Sequence, residues 1–201
     1  MQERKERRSN RDRTEATRRE LVAAARKLFT EKTYAETSTP EIATAAGVTR
    51  GALYHHFADK QALFQAVVER EAEEVAADIE RASPPTLSAR EALISGSDAY
   101  LAAMRTPGRT RLLLLDGPAV LGRATMDEID GRHSNRTLRE GLQAMMAAGA
   151  MKTLPIDALT ELLGAVFDRA ALAIETGAPA PDYRKTLVAL IDGLAGSGLP
   201  R

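Results

Sequence analysis

The chain has no cysteine, no long apolar run and no net charge at neutral pH. Without cysteine it can form neither disulfide bonds nor thiolate metal sites. The longest strongly apolar run, residues 112–115, is far shorter than the roughly 20 apolar residues that a membrane-spanning helix needs. The basic, polar beginning of the chain is followed by no apolar segment of the kind found in secretory signals. We therefore expect a cytoplasmic protein that does not bind membranes.

The zero net charge conceals an uneven distribution. Residues 1–60 carry 13 Lys and Arg against 9 Asp and Glu, whereas residues 61–201 carry 15 against 19. Opposite charge in two parts of one chain indicates that the first third meets a polyanion. The rest of the composition, 44% hydrophobic and 28% charged over 201 residues, is that of an ordinary globular protein of one or two domains.

Apolar residues recur at spacings of three and four almost throughout, and no convincing alternating stretch is present. This periodicity predicts an all-α fold of about nine helices. Residues 1–16 carry few apolar side chains and are predicted to be a flexible basic arm, and the tail after Gly196 is predicted to be loose. The predicted helices cover residues 17–31, 39–46, 50–56, 60–82, 89–105, 109–115, 125–149 and 158–176, and a ninth helix follows Asp182. Asp157 and Asp182 are predicted to cap the last two helices, and the sixth is predicted to end before Asp116, Gly117 and Pro118.

Three short helices near the N-terminus have well-defined ends. Ser38 and Glu41 form a capping box at the start of the second helix. Gly47 ends that helix, because glycine adopts the left-handed conformation without penalty, and Thr49 caps the third. Three helices with a glycine turn between the second and third are typical of a helix-turn-helix. We therefore assign residues 17–60 to a helix-turn-helix domain and residues 61–201 to a second domain.

The third predicted helix has two different faces. Leu53 and Phe57, four residues apart, are expected to face the core of the domain. They leave a cation, a hydroxyl, an imidazole and a position without a side chain on the other side, where the helix could approach a duplex. These outward residues are Arg50, Gly51, Tyr54 and His55. By spacing alone, the same helices could equally form a helical hairpin within a larger bundle.

The run TSTPEIATAAGVTRGALYHHFADKQALF, residues 37–64, resembles the DNA-binding domain of the TetR family of transcriptional regulators. The resemblance extends over about residues 17–64. It rests on the tyrosine, histidine, aromatic and lysine positions of the family, which are Tyr54, His56, Phe57 and Lys60 here. The resemblance implies that Thr39 contacts phosphate, that Arg50 binds a guanine edge, and that His56 and Lys60 anchor the DNA backbone. The further recognition contacts that it implies are Thr49, Gly51, Tyr54 and His55.

One position departs from the family pattern. Thr33 stands where the family usually has glycine after the first helix. A β-branched residue disfavours positive φ, so we expect a differently shaped turn there. Further along the chain, RLLLLDGPAVLG, residues 111–122, resembles a stretch common to one subgroup of these regulators.

The last two predicted helices have wide apolar faces. Part of each face is expected in the core of the chain itself. The rest suits a four-helix interface between two copies, which is the arrangement that the TetR resemblance implies. A two-fold dimer would place two recognition helices about 34 Å apart and would need a near-palindromic operator in double-stranded DNA. The residues predicted at this homodimer interface are Leu162, Ala165, Val166, Arg169, Leu187, Leu190, Ile191 and Leu194.

The resemblance also implies a pocket for a small-molecule effector, whose occupation shifts the fourth helix and so the spacing of the two DNA-binding domains. The predicted lining residues are Tyr100, Met104, His133, Met145, Met146 and Phe167. Plain core packing explains such residues more often than ligand contact does. No pattern in the sequence points to a metal or a cofactor, and the effector is unknown.

These observations predict a TetR-type repressor that a small molecule releases from its operator. Two alternatives are a helix-turn-helix regulator controlled by a protein partner and an enzyme. An enzyme is not expected, because the sequence has no nucleophile–base arrangement, no phosphate-binding glycine loop and no HExxH motif. A ligand-sized cavity would favour a small-molecule effector over a protein partner.

Overall fold

The computed structural model describes the backbone of residues 2–195 and the side chains of residues 12–195. All regular structure in these residues is helical, which confirms the predicted all-α fold. None of the helices in this part of the chain combines the length and apolar character needed to cross a membrane. The described helices are α1 (Gln2–Glu31), α2 (Thr39–Ala45), α3 (Arg50–His56), α4 (Lys60–Ala82), α5 (Ala89–Met104), α6 (Arg109–Arg111), a π turn (Leu112–Asp116), α7 (Gly117–Leu121), α8 (Arg123–Arg132), α9 (Ser134–Ala147), α10 (Ile156–Glu175) and α11 (Ala180–Ala195).

The chain divides into two compact units, the first ending at Arg70 and the second beginning at Glu71. The boundary therefore falls inside α4, ten residues beyond the predicted one. A continuous helix gives no sequence signal at such a point, because neither glycine nor proline interrupts it.

The helix α1 begins at Gln2. Residues 2–16, predicted as a flexible basic arm outside any helix, are therefore part of a helix in the structure. The scarcity of apolar side chains excludes a hydrophobic core in this segment, but it does not exclude a helix. Glu, Lys, Arg and Gln are good helix formers, and neither glycine nor proline occurs in the first 30 residues. Met1, the side chains of residues 2–11 and the tail after Gly196 lie outside the described residues.

The short helices α2 and α3 form as predicted, with the predicted caps. Ser38 Oγ accepts the Glu41 N–H, and the Glu41 carboxylate accepts the Ser38 N–H at 2.9 Å. Gly47 has a φ of 66° after the end of α2. Thr49 Oγ1 accepts the Ala52 N–H at 3.1 Å. These bonds define where each helix begins and ends, and so position the face that α3 presents.

The core of the first unit combines aliphatic side chains with an aromatic cluster. The rings of Phe29 and Phe64 meet edge to face with centroids 5.2 Å apart, and Tyr34 lies 5.0 Å from Phe64. Leu53 and Phe57 of α3 are buried, as predicted. Large rings bury much apolar area per residue, which helps a small unit to be stable. The other buried apolar residues of this unit are Leu21, Val22, Ala25, Ile42, Ala43, Leu63, Val67 and Val68.

Two predicted helices are divided in the structure. The helix predicted over residues 109–115 continues to Leu121, because the π turn lets the Gly117 N–H bond to the Leu112 carbonyl five residues back. Pro118, expected to stop the helix, lies in the first turn of α7, where its missing N–H is tolerated. The helix predicted over residues 125–149 is broken at His133 into α8 and α9. These two divisions account for eleven described α-helices where about nine were predicted.

Two predicted caps are wrong. Asp157 and Asp182 lie inside the first turns of α10 and α11 instead of preceding them. An acidic residue is favourable at either position, because both lie near the positive end of the helix dipole. Asp157 also pairs with Arg139 of α9, an interaction between distant residues that no local pattern predicts.

A buried cation connects three helices of the second unit. Arg109, at the start of α6, is 4% exposed. Its guanidinium donates from Nε to Glu71 at 2.8 Å, from Nη2 to Glu74 at 2.7 Å and from Nη1 to the Ala103 carbonyl at 3.1 Å. A buried charge is tolerated only when it is paired and hydrogen-bonded. Arg109 therefore fixes α6 against α4 and against the end of α5.

Replacing Arg109 with methionine should lower the free energy of unfolding by about 3–5 kcal/mol, because Glu71 would keep a buried charge without its guanidinium. Adding Glu71→Leu should recover most of that loss. Urea unfolding at one fixed protein concentration measures both effects. Arg184→Met, which breaks an exposed pair with Asp98, is the matched control and should cost less than about 1 kcal/mol. Equal losses in Arg109→Met and the control would contradict the assignment.

Candidate functional site

The exposed face of α3 consists of the residues that the sequence predicted. Arg50, Gly51, Tyr54 and His55 are all exposed. Tyr54 is 42% exposed, although a large aromatic side chain is usually more buried. A Cβ built on Gly51 would meet only Thr49 Oγ1, at 3.9 Å, so packing within the chain does not require glycine there. The open position instead leaves the backbone of α3 accessible to a partner.

A hydroxyl pair connects α2 to α3 on this surface. Thr39 Oγ1 and Tyr54 Oη lie 3.0 Å apart, and the Arg50 guanidinium lies 5.5 Å from the Tyr54 ring centroid. The hydrogen bond with Thr39, and after it the one with Arg50, lowers the pKa of Tyr54. The three side chains thus form one connected polar surface. Such a surface holds a cation in a defined direction, which hydrogen bonding to a base edge requires.

Lys60, predicted to anchor the DNA backbone, has partners within its own chain. Its ammonium donates to the carbonyl of Tyr34 at 2.8 Å and to that of Thr37 at 3.0 Å, and lies 4.1 Å from the Tyr34 ring centroid. An ammonium has three donors in all. Lys60 therefore fastens the turn between α1 and α2, and its contact with phosphate stays a prediction.

The two histidines of α3 differ in their surroundings. His55 is exposed, whereas His56 is half-buried, and their ring centroids are 5.5 Å apart. Burial lowers the pKa of His56, and the nearby charges of His55 and Arg18 lower it further. The lowered pKa favours the neutral form of His56, which suits a hydrogen bond rather than charge pairing.

The turn after α1 is closed by hydrogen bonds that involve Thr33, and its difference from the family's turn stays a prediction. This residue has a negative φ, and its carbonyl accepts the Thr37 hydroxyl at 2.8 Å. Lys32 also donates to Glu41 at 2.6 Å, which joins the end of α1 to the start of α2. The bond from Lys32, followed by those from Ser38, lowers the pKa of Glu41 to about 2.

The second unit contains a cavity of about 290 Å³ between α4, α5, the π turn, α8, α9 and α10. Three of the predicted lining residues line it: Tyr100, Met104 and Phe167. The rings of Tyr100 and Phe167 meet edge to face with centroids 5.9 Å apart. Helix packing therefore brings together three residues that are well separated in sequence.

The other three residues predicted for this pocket do not line the cavity that the structure describes. Met145 is fully buried in the core, one turn beyond the lining residue Gly141 and two turns beyond the lining residue Leu138 on the same stripe of α9. Met146 is one residue further round the helix. His133 forms the break between α8 and α9. The prediction assumed one unbroken helix there, and the break changes which side chains face inward.

The cavity is lined by acidic side chains and, among its described lining residues, by no Lys, Arg or His. Glu80 and Glu140 both pair with Arg136, at 2.5 Å and 3.1 Å. Asp130 and Asp168 have no ion pair within residues 12–195. The cavity therefore contains two carboxylates without an ion-pair partner in this part of the chain, although the charge of the exposed Arg123, which does not line the cavity, acts to lower the pKa of both.

Burial and repulsion shape the chemistry of these two aspartates. Asp168 accepts the Tyr100 hydroxyl at 2.6 Å. Burial raises the pKa of Asp168, and burial together with the charge of Asp168 raises the pKa of Asp130 to about 7. Sequence reasoning missed both residues. The available signal was their spacing, since Asp130 follows the buried Met126 by four and Asp168 follows the cavity-lining Gly164 by four.

The last two helices leave large apolar side chains exposed. Leu162 and Val166 of α10 are 69% and 37% exposed, and Leu190 of α11 is 44% exposed. Ala165 and Arg169 follow the same stripe of α10 and are exposed as well. Single exposed apolar residues are normal, but a stripe of them on one helix is typical of a surface that a partner covers.

Two residues of the predicted interface are not on the surface. Leu187 and Ile191 are 4% and 2% exposed, because that side of α11 packs into its own unit. They are therefore withdrawn from the interface. Leu194 is half-buried and remains available.

Family models match most of the chain. Residues 21–67 match the model described as bacterial regulatory proteins, tetR family. Residues 90–197 match the model described as tetracyclin repressor-like, C-terminal domain. The first match contains α2 and α3, and the second contains most of the cavity's lining residues.

Individual relatives agree with these matches. The HTH-type transcriptional repressor Rv1474c of Mycobacterium tuberculosis (strain ATCC 25618 / H37Rv) is 36% identical over 92 residues, which are 46% of this chain and 44% of the relative. The HTH-type transcriptional activator FasR of Mycolicibacterium smegmatis is 32% identical over 94 residues, 47% of this chain and 43% of the relative. The chain thus spans less than half the length of these curated relatives.

A solved structure covers nearly the whole chain. It is a TetR-family transcriptional regulator from Pectobacterium atrosepticum, which is 33% identical, superposes with a TM-score of 0.74, and matches 95% of this chain and 99% of its own. The likeness therefore includes both units, each with its own family model. The chain belongs to the TetR family of bacterial regulatory proteins.

Proposed function

We propose that this protein is a cytoplasmic transcriptional repressor that binds a near-palindromic operator as a homodimer and leaves it when a small molecule fills the cavity. The exposed face of α3 carries the proposal. One side of this helix lies in the core through Leu53 and Phe57, while the other presents Arg50 and Tyr54 to solvent. A short helix held so firmly can place side chains in the major groove of B-DNA.

In the proposed complex, Arg50 donates two N–H groups of its guanidinium to O6 and N7 of a guanine, and Tyr54 and His55 contact neighbouring bases or phosphates. Gly51 lets the backbone of α3 come close to the duplex. Thr39, Thr49 and His56 contact the phosphate backbone, which fixes register without carrying sequence information. The hydroxyl pair of Thr39 and Tyr54 supports the base contact proposed for Arg50, because it orients the Tyr54 ring beneath the Arg50 guanidinium.

The cavity favours a small-molecule effector over a protein partner. Its volume of about 290 Å³ lies at the lower end of the range for ligand pockets, roughly 300–1,000 Å³. An effector shifts the protein away from the operator only if it binds the low-affinity state more tightly than the operator-bound one. The protein acts through this linkage, and we propose no catalytic step.

Repression is the proposed direction, although the curated relatives include proteins named as a repressor and as an activator. Duplexes selected by the protein from a random pool would identify the operator. Placing that operator upstream of a reporter gene should lower expression when the protein is present, whereas raised expression would make the protein an activator.

Arg50→Ala should weaken binding to the selected operator by about 10-fold to 100-fold, because a bidentate contact with guanine contributes roughly 1–3 kcal/mol of discrimination. The preference at one base position of each half-site should relax with it. Fluorescence anisotropy on the operator and on single-base variants measures both effects. Arg81→Ala, which removes an exposed cation in the second unit, should leave affinity and preference unchanged. Full base preference in Arg50→Ala would refute this contact.

Lys60→Met should distinguish a positioning role from a phosphate contact. If Lys60 only stabilises the turn, the substitution lowers both the affinity for the operator and the free energy of unfolding. The slope of log affinity against log salt concentration then stays the same. A lost phosphate contact would instead reduce that slope by about 0.9 for each subunit, or about 1.8 for the dimer. We expect the first result, with a loss in unfolding free energy of about 2–3 kcal/mol for the two bonds to carbonyls. Lys27→Met, which removes an exposed lysine of α1, is the control.

We propose the exposed stripes of α10 and α11 as the homodimer interface, centred on Leu162, Val166 and Leu190. Ala165, Arg169 and Leu194 lie beside them. Two adjacent helices from each copy would then form a four-helix contact, in which side chains that are exposed in one chain become buried.

Leu162→Glu combined with Leu190→Arg should therefore yield monomers, because charges would be buried where apolar contacts form. Sedimentation velocity over a range of concentrations measures the mass. Leu154→Glu changes an apolar residue of comparable exposure outside both helices and should leave the dimer intact. A dimer that survives the double substitution would place the interface elsewhere.

A further inference from the structure

We infer that the cavity of the second unit takes an apolar organic cation, an amine on an aromatic or alkyl body, whose charge pairs with Asp130 and Asp168. The inference rests on the proposed function for its effect on the operator, and on the cavity alone for the binding itself. It specifies the chemical class of the effector.

The walls of the cavity suit an apolar body. Aliphatic and aromatic side chains from α4, α5, the π turn, α9 and α10 line much of the cavity, with hydroxyl and amide groups at intervals. A volume of about 290 Å³ accommodates a small molecule and not a peptide. The principal apolar lining residues are Leu93, Tyr100, Met104, Leu113, Leu138 and Phe167.

The charge of the cavity selects the sign of the ligand. Arg136 forms ion pairs with Glu80 and Glu140, and it does not line the cavity itself. Asp130 and Asp168 line the cavity without an ion pair among residues 12–195, and Arg123, whose charge acts on both, is exposed and does not line the cavity. A carboxylate removed from water needs a partner, and a cationic ligand would provide it. An anionic ligand would add repulsion at the same place.

Tyr100 orients the carboxylate of Asp168. Its hydroxyl donates to Asp168 at 2.6 Å, which fixes one carboxylate oxygen and leaves the other to accept from a ligand. The rings of Tyr100 and Phe167 meet edge to face beside it. Aromatic faces attract cations, so the rings and the carboxylates favour the same ligand charge.

Proton release supports the same assignment. Asp130 faces Asp168 of α10 and Tyr100 of α5. On its own helix, the charge of Asp127 raises the pKa of Asp130 and that of Arg123 lowers it. The other charged groups that line the cavity are Glu80 of α4 and Glu140 of α9, both paired with Arg136. Burial and the charge of Asp168 raise the pKa of Asp130 to about 7, so part of the free protein carries a proton there. A bound cation favours the ionised form and expels that proton. Affinity for the cation should therefore increase as the pH rises through 7.

The test uses three probes with the same apolar body: 4-phenylbutylamine, 4-phenylbutanol and 4-phenylbutyrate. Calorimetric titration of the full-length protein at pH 7.5 should show the amine binding about 10-fold to 100-fold more tightly than the alcohol, since charge-assisted hydrogen bonds contribute roughly 1.5–3 kcal/mol. The carboxylate should bind most weakly. Repeating the titration at pH 6 should weaken the amine and leave the alcohol unchanged.

Asp130→Asn and Asp168→Asn should each remove most of the preference for the amine while keeping the affinity for the alcohol. Retained binding of the alcohol shows that the variant is folded and its cavity intact. Glu128→Gln, which removes one exposed negative charge from α8, should keep the full preference. Equal affinities for all three probes in the unchanged protein, no binding of the amine, or a preference that survives both substitutions would overturn the inference.

The operator assay separates this inference from the proposed function. Failure of the protein to bind any selected duplex would refute the repressor and leave the amine preference to be judged by calorimetry alone. Tight operator binding combined with a cavity that does not distinguish the amine from the alcohol would refute the cation and leave the repressor standing.

Discussion

The guanidinium of Arg109 is enclosed by protein, and an enclosed charge restricts where its neighbours can lie. Its donors point to two carboxylates of α4 and to a carbonyl at the end of α5. Moving any of these helices by a few ångströms would leave a buried ion without a partner, at a cost comparable to the whole stability of a small domain. The walls that α4, α5 and the π turn contribute to the cavity are therefore set partly by a residue that does not line it.

Local chemistry explains why the first unit follows its sequence closely. The capping box of Ser38 and Glu41 and the glycine at position 47 act within a few residues of themselves, so their effects can be predicted without knowledge of the fold. The outward face of α3 follows equally well from the inward spacing of Leu53 and Phe57. Lys60 shows the limit of such reasoning, because its two carbonyl partners lie 23 and 26 residues away and no spacing rule predicts them.

The second unit was harder to predict because its decisive features are not local. The break at His133 and the π turn both alter which side chains face inward, and neither has a strong sequence signal. Tyr100, Met104 and Phe167 were found because large side chains on helices tend to be buried. Asp130 and Asp168 were not found, because acidic residues are assigned to the surface by default. Leu187 and Ile191 were wrongly predicted to lie at the homodimer interface for a related reason. The sequence of an apolar stripe does not show whether it packs against its own chain or against a second copy.

The π turn has a consequence for how this family member can diversify. A turn closed by a bond to the fifth residue back holds one residue more than an α-helical turn, and this turn contributes Leu113 and Leu114 to the cavity wall. A one-codon insertion or deletion between positions 112 and 116 would therefore open or close the turn and reshape one wall. Such a change would alter the shape of the cavity without altering any residue of α3.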